Sequence, residues 1–66
     1  MKNNIKVQRA IHDMTQAGLA EKIGVSRQSI NAIEKNKYVP STVLALRIAK
    51  LFNKPVESIF FLEDNE

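Results

Sequence analysis

The sequence has 66 residues, which is the length of one small domain. It contains no cysteine and a single histidine, so disulfide bonds are excluded and a metal site is not expected. A domain this short buries only about 60% of the surface of its unfolded chain, and a monomer is expected to be marginally stable. Association with a second subunit is the remaining way to stabilise it, so we predict an oligomer.

Charge is distributed unevenly along the sequence. Residues 1–54 contain all ten basic residues and three acidic ones, a net charge of +7, whereas residues 55–66 contain four acidic residues and no basic one, a net charge of −4. Such asymmetry is typical of a polyanion-binding body with an acidic tail, although ordinary solvated surface charge explains it equally well. No apolar run reaches the roughly 20 residues of a membrane span, and the N-terminus lacks the apolar segment of a signal peptide. We therefore expect a cytoplasmic protein that does not bind a membrane.

Apolar residues recur at helical spacing between sparse glycine and proline residues. A first helix is predicted around Asn4–Asp13. A second is predicted over about Gln16–Ile23, with Thr15 as its N-cap, and a third over about Arg27–Lys35, with Ser26 as its N-cap.

The second half of the sequence predicts two more helices. The polar segment 36–40 is a loop that ends at a proline. Ser41 is expected to cap a fourth helix that runs to about Phe52, and Pro55 suits the first turn of a short fifth helix that ends near Phe60. Residues 60–63 are compatible with a short strand paired with residues 1–4.

The most informative unit lies between Gln16 and Glu34, where two short predicted helices meet at Gly24. Two helices that cross through a three- or four-residue turn need a small side chain at their contact and a turn residue that tolerates a positive φ. Ala20 and Gly24 meet these two needs. Apolar contacts between the two helices can come from Val25, Ile30 and Ile33. Any helical hairpin shares some of these features, but the whole set at fixed offsets is rare.

The residues from Met14 to Phe52 carry a family resemblance. Its motifs are Thr15-Gln16, Leu19-Ala20, Gly24-Val25-Ser26, Ser29-Ile30, Ile33-Glu34 and Pro40-Ser41. This pattern resembles the Cro/phage-repressor (XRE) helix-turn-helix family, especially its short stand-alone prokaryotic transcriptional regulators, and it covers nearly the whole sequence. The resemblance implies an all-α fold, a compact five-helix lambda-repressor-like DNA-binding domain over residues 1–66 with the motif at about 16–35. A short terminal β-ribbon is compatible with this fold.

The resemblance implies a transcriptional repressor that binds an inverted-repeat operator in double-stranded DNA as a homodimer. In such domains the second helix of the motif enters the major groove, where its first residues meet base edges. Arg27 can form two hydrogen bonds to guanine or bind a phosphate, and Gln28 can form two hydrogen bonds to adenine. The predicted base-reading residues are Arg27, Gln28, Ser29, Asn31 and Ala32. Ordinary helix surface is the alternative for Gln28 and Asn31.

A second set of residues is expected to contact the DNA backbone. By resemblance, Gln16 binds a phosphate and supports the reading glutamine, at a helix N-terminus that favours an anion. Phosphate contacts set the register of the protein without reading the sequence. The predicted set is Gln16, Ser26, Lys35, Asn36, Lys37, Tyr38 and Ser41. A solvated loop is the alternative for residues 35–38, and a helix cap is the alternative for Ser41.

Some residues are expected to be structural. Ala20 and Gly24 form the corner of the motif, and Arg9 and Glu34 match a pair that joins the first and third helices in this family. The sequence departs from the family at Gln8, where leucine or isoleucine is usual, so the first helix is expected to be packed less well or shifted. A glycine inside a helix, as at position 18, costs about 1 kcal/mol relative to alanine.

More large apolar residues lie near the C-terminus than so small a domain can bury, which favours a dimer interface there. The predicted interface residues are Val39, Ile59, Phe60, Phe61 and Leu62. The sequence has no nucleophile with an adjacent base, no framed carboxylate pair and no glycine-rich phosphate loop, so an enzyme is not expected, and neither is a cofactor or small-molecule ligand. The alternative function is that of an antitoxin or adaptor of the same fold that acts mainly through a protein partner.

Overall fold

Four α-helices and a two-stranded antiparallel ribbon make up the fold in the computed structural model, which describes residues 1–66. The elements in chain order are β1 (Lys2–Asn3), α1 (Ile5–Ile11), α2 (Gln16–Ile23), α3 (Arg27–Glu34), α4 (Thr42–Phe52), a 3₁₀ turn (Val56–Ser58) and β2 (Phe60–Phe61). The predicted bounds of the second and fourth helices are confirmed. The first helix is shorter than predicted at both ends, and the third ends one residue earlier.

Side-chain oxygens cap three of the four helices at their N-termini. The hydroxyl oxygens of Thr15, Ser26 and Ser41 each accept a hydrogen bond from the backbone N–H three residues later, at 2.9, 3.1 and 3.1 Å. Each bond satisfies one of the N–H groups that the first turn of a helix leaves unpaired. All three predicted caps are confirmed.

The glycine at position 18 lies beside the cap of α2, where its N–H donates to Oγ1 of Thr15. A Cβ at Gly18 would lie 3.2 Å from that oxygen, a close contact that a small shift of the hydroxyl would relieve. Ser29 and Leu44 hold the same position beside the other two caps and carry a Cβ, so the cap itself does not require glycine, and its cost in helix propensity remains.

The predicted fifth helix is not confirmed as an α-helix, because one 3₁₀ turn, Val56–Ser58, follows Pro55. The carbonyl of Ile59 accepts a hydrogen bond from the Asn4 N–H at 2.9 Å, so the backbone leaves the helical course and pairs with the N-terminal segment. Beyond it, β2 runs antiparallel to β1, with Phe61 opposite Lys2 and Phe60 opposite Asn3. The expected ribbon between the two ends of the sequence is thus present, over two residues on each side.

All four helices and the β2 region contribute to one apolar core. Its members are Ile5, Leu19, Ala20, Ile23, Ile30, Ile33, Leu44, Ile48, Ala49, Phe52, Ile59 and Phe60. Two of them correct the predicted dimer interface. Ile59 is 0% exposed and Phe60 only 8%, so these side chains fill the core of their own chain and have little surface to offer a second subunit.

The N-terminal helix carries the polar departure noted in the sequence. Gln8 is buried, and its Oε1 has no hydrogen-bond partner. An unpaired buried polar atom is destabilising, so α1 is packed through Ile5 at the cost of one unsatisfied amide oxygen. No helix of the structure has the length and apolar character to cross a membrane.

Candidate nucleic-acid interface

The third helix, α3, has one face in the core and one face in solvent. Ile30 and Ile33 are buried on the inner face. On the other side Arg27 and Gln28 are exposed. Asn31 and Ala32, one turn later, are half-buried, as is Ser29. The residues predicted to read bases therefore share the outer part of one helix, which we call the recognition face (Arg27, Gln28, Asn31 and Ala32).

A two-point ion pair holds α3 in place. Arg9 Nε and Nη2 donate to the two carboxylate oxygens of Glu34 at 2.6 and 3.0 Å, and Arg9 Nη1 donates to the carbonyl oxygen of Met14 at 3.0 Å. The hydrogen bond that Arg9 donates to the Glu34 carboxylate raises the pKa of Arg9 above its ordinary value. The Arg9 and Glu34 side chains are 14% and 8% exposed, so the predicted pair is confirmed and lies mostly out of solvent. Removing one partner of such a pair typically costs about 3–5 kcal/mol, because the other charge is left buried.

Gln16 is the hydrogen-bonded link between α2 and the recognition face. Its Nε2 donates to Oδ1 of Asn31 at 3.2 Å and to Oε1 of Glu34 at 3.1 Å, and its Oε1 accepts from Nη1 of Arg27 at 3.3 Å. The sequence predicted that Gln16 supports Gln28. In the structure its partners on α3 are Arg27, Asn31 and Glu34, and no hydrogen bond joins it to Gln28, which is exposed.

The segment after α3 forms an exposed basic loop (residues 35–38). Asn36 ends the helix in the left-handed conformation with φ 61°, and the Lys37 N–H reaches back to the carbonyl of Ala32 at 2.9 Å. The Asn3 side chain donates to the carbonyl of Ile33 at 2.8 Å and to Oδ1 of Asn36, in the loop, at 3.3 Å. The loop is therefore anchored to the helix and to β1, while Lys35, Lys37 and Tyr38 remain exposed.

The two serines assigned to the DNA backbone already have structural roles. Ser26 caps α3 and lies 2.9 Å from the Ser29 hydroxyl, while Ser41 caps α4. Both residues are exposed, so each hydroxyl group reaches the surface while it accepts from its own helix. The cap that was the alternative reading for Ser41 is present.

A polar cleft of about 350 Å³ separates α1 from α3 beside the recognition face. Lys6, Asn31 and Lys35 are among its lining residues. Sequence reasoning missed Lys6. The sequence did contain a signal for it, because Lys6 lies three residues before Arg9 and both side chains therefore share one face of α1. The pairing of Arg9 with α3 then places Lys6 beside the same helix.

A separate apolar groove of about 420 Å³ lies on the α4 side of the molecule. We define it by Val39, Leu46, Val56 and Leu62, and the buried Phe60 lies at its floor. Val39, Leu46 and Leu62 are 61%, 52% and 73% exposed. Leu46 was missed in the sequence, although it and Val43 fall outside the inward stripe of α4. No group of acidic and histidine side chains is arranged to hold a metal ion.

Comparison with known proteins gives consistent results. Residues 5–59 match the family model described as helix-turn-helix. An uncharacterized HTH-type transcriptional regulator of Methanocaldococcus jannaschii is 58% identical over 66 residues, or 100% of each chain, and one of Bacillus subtilis is 48% identical over 64 residues, or 97% of each chain. The crystal structure of a candidate DNA-binding protein from Bacteroides fragilis has a TM-score of 0.79 and 33% identity, covering 88% of this chain and 94% of that chain.

Proposed function

The chain belongs to the Cro/C1-type helix-turn-helix family of transcriptional regulators, and from this premise we propose that it represses transcription by binding an inverted-repeat operator as a homodimer. In this proposal α3 lies in the major groove and reads bases through the recognition face. The protein acts by binding and not by catalysis.

One observation carries the proposal. The recognition face adjoins the basic loop, and its Arg27 and Gln28 are exposed like the loop itself. The opposite side of the same helix is held by the buried Ile30 and Ile33 and by the Arg9–Glu34 pair. A rigid helix with exposed arginine and amide side chains is suited to base edges in the major groove. The neighbouring lysines of the loop supply the sequence-independent attraction to phosphates.

We assign the backbone contacts to Lys35, Asn36, Lys37 and Tyr38 of the basic loop, together with Ser26 and Ser41. These residues bracket α3 and the start of α4, so phosphates on either side of the groove would be within reach when α3 is inserted. Contacts of this kind orient the helix without distinguishing sequences.

The homodimer is proposed to form through the apolar groove. Val39, Leu46 and Leu62 are large apolar side chains that are all more than half exposed and line one groove. A cluster of exposed apolar side chains of this kind is typical of an interaction surface. A second copy is the occupant that fits, because a two-fold axis through this face repeats α3 on both sides. Such a dimer would read half-sites about 34–36 Å apart, one turn of DNA.

Selection from random-sequence duplexes tests the function. The purified protein is expected to enrich a pseudo-palindromic sequence whose half-sites are one helical turn apart, and its affinity should fall steeply with salt concentration. If it binds no duplex of any sequence at low ionic strength, the proposal is wrong. The protein-binding alternative would then be tested with candidate partners encoded beside the gene.

A further inference from the structure

The Gln16 amide is held between a group that only accepts hydrogen bonds and a group that only donates them. Its Nε2 lies 3.1 Å from the Glu34 carboxylate, and its Oε1 lies 3.3 Å from the Arg27 guanidinium. A carboxylate has no proton to donate and a guanidinium has no lone pair to offer, so turning the amide by 180° would replace both bonds with repulsive contacts. The chemistry of its neighbours therefore fixes the orientation of Gln16.

This orientation decides which end of the Asn31 amide faces the protein. Gln16 Nε2 has a second proton, and it goes to Oδ1 of Asn31 at 3.2 Å. Asn31 must present its carbonyl oxygen to Gln16, since two amino groups facing each other would repel. The Asn31 amino group, with two donors, then has no acceptor within the protein and remains available on the recognition face.

We propose that the Arg9–Glu34 ion pair, acting through Gln16, presents Asn31 to the major groove as a hydrogen-bond donor, so that Asn31 selects guanine over adenine. Guanine offers two acceptors in the groove, N7 and O6, whereas adenine offers the acceptor N7 and the donor N6. Asparagine reads adenine with two bonds only when its carbonyl accepts from N6, and here that carbonyl faces Gln16 inside the protein, so that its amino group is the end left for the groove. This inference rests on the proposed DNA-binding function.

The same geometry makes Gln16 a positioning residue. Both protons of its Nε2 are used inside the protein, which leaves its side chain no donor for a phosphate. A phosphate role and a positioning role for Gln16 predict different consequences when its amide is removed. Loss of a phosphate contact weakens all sequences alike, whereas loss of positioning changes the preferred base.

The test compares selected sequences for wild type, Asn31→Ala and Gln16→Met. Methionine is similar in length to glutamine, forms no strong hydrogen bond, and leaves the Arg9–Glu34 pair in place, so the variant is expected to fold. Asn31→Ala identifies the base pair that Asn31 reads. At that pair wild type should prefer guanine, and Gln16→Met should raise adenine relative to guanine by about fivefold or more, the lower end of what one base contact discriminates.

Ile48→Val serves as the control, since it lowers stability by shortening a core side chain on α4. It leaves the hydrogen bonds among Glu34, Gln16 and Asn31 unchanged. Its selected sequence should match that of wild type. The inference is overturned if wild type prefers adenine at the Asn31-dependent pair, if Gln16→Met weakens all sequences equally, or if Asn31→Ala leaves the selected sequence unchanged. A wild-type protein that enriches no sequence at all contradicts the proposed function itself, which is a different result.

Discussion

Gln28 and Lys37 represent the two kinds of contact that single side chains of this protein are proposed to make with DNA. Gln28 is exposed on the recognition face, and Lys37 is exposed on the basic loop. One amide can match the donor and acceptor of a base edge, whereas one ammonium group attracts any phosphate. The two residues should therefore respond differently to truncation.

Gln28→Ala is expected to change the base preference of the protein. Loss of one good base contact removes about 1–3 kcal/mol of discrimination at a single position of the half-site. Competition binding against a random-sequence library measures this effect. An identical ranking of sequences for the variant and wild type would show that Gln28 does not read a base.

Lys37→Ala is expected to weaken binding to all sequences by a similar factor. One phosphate contact fewer should lower the slope of log K against log salt concentration by about one. The measurement is a salt titration on the selected site and on an unrelated duplex. The exposed Lys22, on α2 and outside the basic loop, provides the matched control as Lys22→Ala, whose slope should remain that of wild type.

The turn between α2 and α3 is the element on which the position of the recognition helix depends. Gly24 has φ 87° and ψ 35°, and its N–H is bonded to the carbonyl of Ala20 at 2.8 Å. Nothing lies within 4 Å of the place where a Cβ would be. The requirement for glycine is therefore conformational and not a matter of space.

Gly24→Ala is expected to destabilise the fold by about 1–2 kcal/mol, because a left-handed backbone strains any residue with a Cβ. Urea unfolding measures the change. Gly24→Asn is the matched comparison, since asparagine tolerates this conformation and already adopts it here at Asn36 and Asn53. A Gly24→Ala variant as stable as wild type, or an asparagine variant no better than the alanine one, would contradict the conformational argument.

At the scale of the whole molecule, the residues of the apolar groove and those of the core have different roles. Ile59 and Leu62 are three residues apart, yet Ile59 is fully buried and Leu62 is 73% exposed. Burial of a leucine at a two-fold interface contributes about 1.5–3 kcal/mol in each subunit. Substitution of Leu62 should therefore act on assembly, whereas substitution of Ile59 would act on folding.

Leu62→Glu is expected to raise the dissociation constant of the dimer by about 100-fold or more, since two leucines leave the interface at once. Sedimentation equilibrium measures the constant, and circular dichroism checks that the variant is folded. Ile11→Glu is the matched control, because Ile11 is an aliphatic residue of similar exposure, 66%, on α1 and away from the groove. If Leu62→Glu associates as wild type does, or if both variants dissociate equally, the groove is not the dimer interface.

Much of the fold could be predicted from local rules. The caps at Thr15, Ser26 and Ser41 and the turn at Gly24 depend on residues within a few positions of one another, and all four are found as predicted. The fifth helix could not be predicted correctly. Pro55 is locally compatible with a helix. The carbonyl of Ile59, however, accepts a hydrogen bond from Asn4, 55 residues earlier in the sequence, and is then not used in a helix.

The candidate site likewise has features that the sequence predicts and features that it does not. The family motif predicted which side chains lie on the recognition face, because the two buried isoleucines mark the inner side of the helix and the residues opposite them lie outside. The partners of Gln16 were not predictable. Which of Arg27, Gln28 and Asn31 it meets depends on how α2 and α3 cross, and a displacement of a few ångströms changes the hydrogen-bonded neighbour.

The sequence by itself determined the four α-helices, the caps of three of them, the corner of the motif and the ion pair between Arg9 and Glu34, because each follows from short-range stereochemistry or from a recognised family pattern. Only the tertiary structure decided that Ile59 and Phe60 belong to the core, that Leu46 lies in the apolar groove, and that Gln16 is hydrogen-bonded to Asn31. These features depend on distances between segments far apart in the chain. Burial and hydrogen bonding are set where such segments meet, so no local pattern encodes them.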